Sequence, residues 1–262
     1  MRILLTNDDG IYAPGLAAIR EELLKIGDVE VAAPSSEQSG VGLSVTFLHP
    51  IMVEEEKRNG EHWGWAVAGS PVDCVKLGIL QFCDPAPDLV VSGINAGMNA
   101  GINVLYSGTV AGAIEGAFFD VPSIAVSACT NSPPDYPQAA KWAVKLIREM
   151  WEHGLSPREL WNINIPENRP DYPKGVKLTT LSVHRSNDVM KRREDPRGRP
   201  YYWNSWDGLD PLQDKRLTSG TDVRELAEGY ITLTPLKFDI TDYEAVEQSR
   251  DWTSRLSKTL ED

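Results

Sequence analysis

Cysteine is scarce: Cys74, Cys83 and Cys129 are three in 262 residues. The number is odd and no CxxC pair occurs, so neither a disulfide framework nor a zinc cluster is expected, and reduced thiols in a cytoplasmic setting follow. Histidine is nearly as rare, and His49, His62, His153 and His184 stand at no metal-ligand spacing. No apolar run approaches the roughly 18–20 residues of a membrane span. The best stretch, Val110 to Phe119, is interrupted by Glu115. The longest apolar run before Asp8 and Asp9 is only three residues, too short for a signal peptide. Positive charge is also short. Lys and Arg number 26 against 38 Asp and Glu, a net charge of −12. Such a surface repels nucleic-acid backbones and anionic membranes, so neither is an expected partner. A small anionic substrate stays compatible, because one bound cation reverses the local field. GxxxxGK[ST], GxGxxG and GxSxG are all missing, which removes the P-loop, the dinucleotide fingerprint and the hydrolase elbow.

What is present reads as one α/β domain over 1–262. Hydrophobic residues make up 41% of the chain, enough for a sizeable core. Arg2–Thr6 reads as a strand, Pro14 to Lys25 as a helix with Leu16, Ile19, Leu23 and Ile26 on one face, and Val29–Ala33 as a second strand. That βαβ order predicts a mostly parallel sheet. Val45–Phe47, Ile51–Glu55 and Trp63–Ala68 read as short strands, and Pro71–Phe82 as a helix. Leu89–Ser92 has the continuous apolar character of a strand buried on both faces, followed by a glycine-rich loop from Gly93 to Gly108. A helix to Phe119, a strand at Ser123–Ser127, a helix at Gln138–His153 and a strand at Trp161–Ile165 complete the expected core. Beyond Pro166 the composition shifts. Pro166–Pro173 and Arg192–Pro211 read as extended arms or long loops, Val176–Leu181 and Tyr230–Thr234 as strands, and Thr241–Leu260 as an amphipathic terminal helix.

Four loops that follow strands carry candidate chemistry. Asn7-Asp8-Asp9-Gly10 follows the first strand, where open parallel sheets bind ligands. Two adjacent carboxylates repel each other, and a divalent cation offsets that cost most simply, although a turn with a helix cap needs the same residue types. Ser92 to Asn99 holds glycines that let backbone approach a ligand, and Asn95 offers a neutral oxygen. Ser107-Gly108-Thr109 opens a helix, whose free N–H groups and dipole favour an anion; plain capping is the alternative. Ser35 to Gly42 on its own is a polar loop. Hard oxygen donors suit Mg²⁺ or Mn²⁺ over Zn²⁺. The bulky residues Trp63, Trp65, Tyr201, Tyr202, Trp203 and Trp206 suit arm packing or a subunit interface more than a nucleobase stack. A phosphorylated receiver domain also opens with an acidic pair, but would be about half as long. It would also need an Asp where Leu89–Val91 runs into Ser92-Gly93.

LLTNDDGIYAPG at the start, EQSGVG at 37–42, GSPVDCVKLG at 69–78, VSGINAGMN at 91–99 and LYSGTV at 105–110 resemble the SurE family of survival-protein phosphatases, or 5′/3′-nucleotidases. RGRPYYW at 197–203 and GYITLTPL at 229–236 extend the likeness over nearly the whole chain. The resemblance implies a Rossmann-like three-layer α/β/α fold with a C-terminal extension. Residues 166–262 would include oligomerisation arms and a terminal helix, exchanged in a homodimer or homotetramer. It implies a phosphomonoesterase acting on nucleoside monophosphates, with some action on short polyphosphate. The cofactor would be one divalent metal ion per subunit, Mg²⁺ or Mn²⁺, held by Asp8, Asp9, Ser39 and Asn95. Asp8, Asp9 and Asn95 would carry the catalysis, and Asn99, Ser107, Gly108 and Thr109 would contact phosphate. One departure is visible: Ala111-Gly112-Ala113 stands where the family usually has Gly-Ala-Ala, which moves one methyl near the helix start.

Overall fold

The computed structural model describes residues 1–129, 134–184, 188–206 and 216–259. Strand β1 (Arg2–Thr6) lies at its centre, and Ile3, Leu4 and Leu5 are all fully buried. Burial on both faces explains why this strand lacks alternation. Ile3 and Leu5 pack under α1 (Pro14–Leu23), while Leu4 faces the opposite layer. Strand β2 (Asp28–Pro34) pairs parallel with β1. A hairpin follows, β3 (Val53–Arg58) and β4 (Glu61–Val67), and β4 runs parallel beside β2. Helix α2 (Pro71–Leu77) starts with Pro and is closed by a capping box between Ser70 and Asp73. Then come β5 (Leu89–Ala96), α3 (Gly108–Phe118), β6 (Ser123–Ala128), α4 (Tyr136–Glu152) and β7 (Leu160–Ile165). The C-terminal part adds β8 (Val176–Leu178), a separate hairpin of β9 (Asp188–Glu194) and β10 (Pro200–Trp206), α5 (Asp222–Ala227), β11 (Ile231–Leu236), α6 (Tyr243–Gln248) and α7 (Arg250–Thr259).

Nine strands form one sheet in the order β3-β4-β2-β1-β5-β6-β7-β11-β8. From β4 to β7 neighbours are parallel; β3 and β11 pair antiparallel with β4 and β7. Helices α1 and α4 cover one face, and α2 and α3 the other. The expected three-layer α/β/α arrangement is present.

Several element readings need correction. Val45–Phe47 is irregular, not a strand. Thr46 donates its N–H and hydroxyl to Asp73, at 3.0 and 2.7 Å, and Ser70 Oγ donates to Ser44 O at 2.6 Å, so α2 holds this segment away from the sheet. Pro71–Phe82 is helical throughout but changes type: α2 ends at Leu77 and a single π-helical stretch runs to Phe82. Strand β5 does not stop at Ser92. It continues to Ala96 through an irregularity between Ser92 and Asn95. Gly93 has φ of 144°, and a Cβ there would stand 2.2 Å from Val126 O. Only glycine fits, and the distortion re-aims Asn95. Val176–Leu181 shortens to β8 plus a bridge from Thr180 to Thr221. The segment at 192–211 contains the second strand of a hairpin, with 207–211 outside the described residues. The terminal helix divides at Ser249 into α6 and α7, and Leu260 lies outside the described residues. Helix α5 was not anticipated. Cys74, Cys83 and Cys129 are thiols, and two of them are buried.

Candidate active site

After β1 the chain moves to β2 on one side, whereas β5, β6 and β7 build outward on the other. Strand order therefore reverses between β1 and β5, and a crevice opens at their carboxyl ends. Asp8 and Asp9 leave β1 there, and Asn95 lies near the end of β5. Backbone bonds bring the remaining loops in. Gln38 N donates to Asp8 O at 2.7 Å, which sets the 37–39 segment beside the acidic pair. Gly42 N donates to Tyr106 O at 3.1 Å, which ties that loop to the start of α3. The Thr109 hydroxyl donates to Asp8 Oδ1 at 2.5 Å, and Ala96 N donates to Asp9 Oδ2 at 3.2 Å.

Asp8 is only 4% exposed. Burial pushes its carboxyl up to about 6, helped by the charge of Asp9 and opposed by the bonds from Thr109. Asp9 is half-buried and raised for the same first reason, with Glu37 adding repulsion and the Ala96 N–H opposing. The charges acting on the pair are thus acidic, and among the described residues neither carboxylate has a salt-bridge partner. No group of three or more His, Cys, Asp or Glu side chains among the described residues is placed to hold a metal. The set here is different in kind: two carboxylates, the amide of Asn95 and the hydroxyl of Ser39. Asn95 donates its Nδ2 to Gly97 O at 2.9 Å, so its oxygen is the atom left for a cation. Ser39 is exposed, and its hydroxyl donates to Glu37 Oε1 at 2.6 Å.

The start of α3 serves two purposes. Ser107 Oγ accepts from Val110 N at 3.1 Å, an ordinary N-cap. Gly108 lets the helix approach Asp8: a Cβ there would lie 2.8 Å from Asp8 Cβ and 3.0 Å from its Oδ2. Ala111, where the family pattern has glycine, is accommodated in the interior, and Gly112 is the residue that lies against Thr6 and Ser92. Asn99 is buried and spends its amide hydrogens internally, on Ser127 Oγ at 2.9 Å and Thr109 Oγ1 at 3.3 Å. It supports Thr109 from within the site. Asn162, Asn164 and Ser127, which hold Asn99, escaped the sequence reading. The alternation Asn162-Ile163-Asn164-Ile165 was the available signal, since amides at buried strand positions need partners.

The aromatic group divides. Trp63 is buried with the Arg58 guanidinium 3.5 Å from its ring centre, and Trp65 stacks on Phe82 at 4.7 Å. Both belong to the packing of β4. Tyr201, Tyr202 and Trp203 are exposed on β10.

The model of the family described as Survival protein SurE matches residues 3–188. A relative called 5′-nucleotidase SurE from Rhodopirellula baltica is 48% identical over 97% of this chain and 100% of its own. One called 5′-nucleotidase SurE 1 from Thermus thermophilus is 42% identical over 92% of this chain and 93% of its own. The crystal structure of the SurE protein from Aquifex aeolicus superposes with a TM-score of 0.83 at 36% identity, covering 97% of this chain and all of that one. With the acidic pair, the Asn95 bulge and the α3 start gathered at one strand-order reversal, and with likeness over nearly its full length, the chain belongs to the SurE family.

Proposed function

We propose that this SurE-family chain is a phosphomonoesterase of nucleoside monophosphates that works through one divalent cation, Mg²⁺ or Mn²⁺, per subunit. The relatives named 5′-nucleotidase support the substrate class. The observation that carries the metal is the uncompensated pair Asp8–Asp9: two desolvated carboxylates side by side, with Glu37 pressing on Asp9 and, among the described residues, no cationic side chain paired with them. Asp8, Asp9, the Asn95 oxygen and the Ser39 hydroxyl form a hard-oxygen set that fits such an ion. When bound, the cation supplies neutralisation of the pair, a hold on a phosphate oxygen and a more acidic water.

The chain's own residues supply the rest. The N–H groups at the start of α3 and its dipole attract the phosphate dianion. Asp8, held through Oδ1 by the Thr109 hydroxyl, orients the attacking water and accepts its proton. Phosphoryl transfer rests mainly on positioning and charge stabilisation, so a site without His, Cys or Lys suffices. Phosphate release from a nucleoside monophosphate, with Mn²⁺ and with excess chelator, tests the proposal; full activity in chelator defeats it. Short polyphosphate in the same assay tests the wider substrate range. The chain is further read as a homodimer or homotetramer, supported by the hairpin β9–β10 and the helices α6 and α7, whose large apolar side chains are exposed.

A further inference from the structure

Asn162 and Asn164 sit on β7, Asn162 between Trp161 and Ile163 and Asn164 between Ile163 and Ile165, and both are fully buried. Strand interiors disfavour asparagine, and a buried amide is costly unless bonded. Their bonds converge on one residue of another element. Asn164 Nδ2 donates to Asn99 O at 3.1 Å, and its Oδ1 accepts from Asn99 N at 2.9 Å. One side-chain amide thus pairs with both backbone groups of Asn99, as a neighbouring strand would. Asn162 Nδ2 donates to the same carbonyl at 2.7 Å, while its own Oδ1 has no partner. A buried polar atom without a partner lowers stability, and here that loss accompanies a bond to the active-site loop. Asp222, buried at the start of α5, grips the same loop from another side, accepting from Gly101 N at 2.7 Å and Ser182 N at 2.8 Å.

The direction of the hydrogen bonds matters next. Asn99 donates to Thr109 Oγ1, so the single hydroxyl proton of Thr109 is left to donate to Asp8 Oδ1. We propose that Asn162 and Asn164 are positioning residues: they fix the Asn99 backbone so that its amide turns the Thr109 hydroxyl onto Asp8. This rests on the reading of Asp8 as the reaction centre. Neither asparagine bonds to Asp8, Asp9, Ser39 or Asn95, and they reach Asp8 only through the Thr109 proton on Oδ1, so turnover should fall further than metal affinity.

The test is the double variant Asn162→Ala/Asn164→Ala beside Ile147→Ala, which opens the core under α4. With a nucleoside monophosphate at saturating Mn²⁺, the double variant should lose on the order of 10²-fold in kcat, the scale of a small misplacement of reacting groups. Its Mn²⁺ dissociation constant by calorimetry should rise far less, by under about 10-fold. Ile147→Ala should lower Tm yet keep kcat, which a merely structural role for the asparagines would also predict for them. If the double variant does not fold, Asn164→Asp carries the same expectation, since it keeps the shape but turns the donor to Asn99 O into an acceptor. Wild-type kcat in the folded variants, or a loss of Mn²⁺ affinity as large as the loss of turnover, overturns the positioning role. A wild-type protein with no Mn²⁺-dependent release overturns the reaction assignment instead.

Discussion

Burial of Asp8 couples folding to pH. Its folded-state carboxyl titrates at about 6 against an ordinary value of 3.8, so the folded chain holds that proton more tightly than the unfolded chain. Without metal, its penalty is absent below the unfolded value, grows as pH rises, and is complete above the folded value. Asp8→Asn in chelator should therefore gain on wild type between pH 4 and 6, by up to about 3 kcal/mol, in denaturant unfolding. A difference that stays flat across that range contradicts the burial of a strained carboxylate. Saturating metal should reverse the order. At ~100-fold excess over its dissociation constant, Mn²⁺ should stabilise wild type by about 2.7 kcal/mol. Asp9→Asn should lose that gain and most of the activity, as scanning calorimetry and phosphate release would show together. Cys74→Ser should keep the metal response and turnover, since the thiol lies in the α2 packing cluster.

Helix α3 shows how one element serves stability and chemistry with different atoms. Ser107 Oγ caps it, so Ser107→Ala should cost about 1 kcal/mol of stability. Thr109 faces Asp8, so Thr109→Val should cost turnover more than Mn²⁺ affinity, read as kcat against the metal dissociation constant. Gly108→Ala separates these further. The added methyl would meet Asp8 Cβ at 2.8 Å and must displace the carboxylate. Turnover and Mn²⁺ affinity should both fall; intact kinetics would mean that Asp8 is not the reacting group. The β5 irregularity has the same character, because Gly93 trades regular pairing for the placement of Asn95.

At the scale of the whole molecule, large apolar side chains stay exposed in the C-terminal part. No helix among the described residues is long and apolar enough to cross a membrane. Yet Ile240, Tyr243, Val246, Trp252 and Leu256 are exposed along the C-terminal segment, and Met190, Tyr202 and Trp203 on the β9–β10 hairpin. Phe238 is the exception, packed edge-on against Phe118 at 4.7 Å. Removing the chain after Asp239 should therefore leave the sheet folded but reduce the mass measured by light scattering. A truncated chain that keeps the full-length mass would place the subunit contact elsewhere.

Local chemistry was legible in the sequence wherever a residue's role depends on its neighbours in the chain. The apolar run of β1, the proline that opens α2 and the position of the acidic pair just after a strand were visible there, because sterics and desolvation act over a few residues. The motifs also marked Asn95, Asn99 and the α3 start. What the sequence could not contain was the partner of each group across the sheet. Only the order β2-β1-β5-β6-β7 sets Asn162 and Asn164 against Asn99, turns Thr109 onto Asp8, and shuts Asp8 from water. Those are contacts between residues up to 101 positions apart. Periodicity names the face a residue occupies, but strand order and register decide what that face meets.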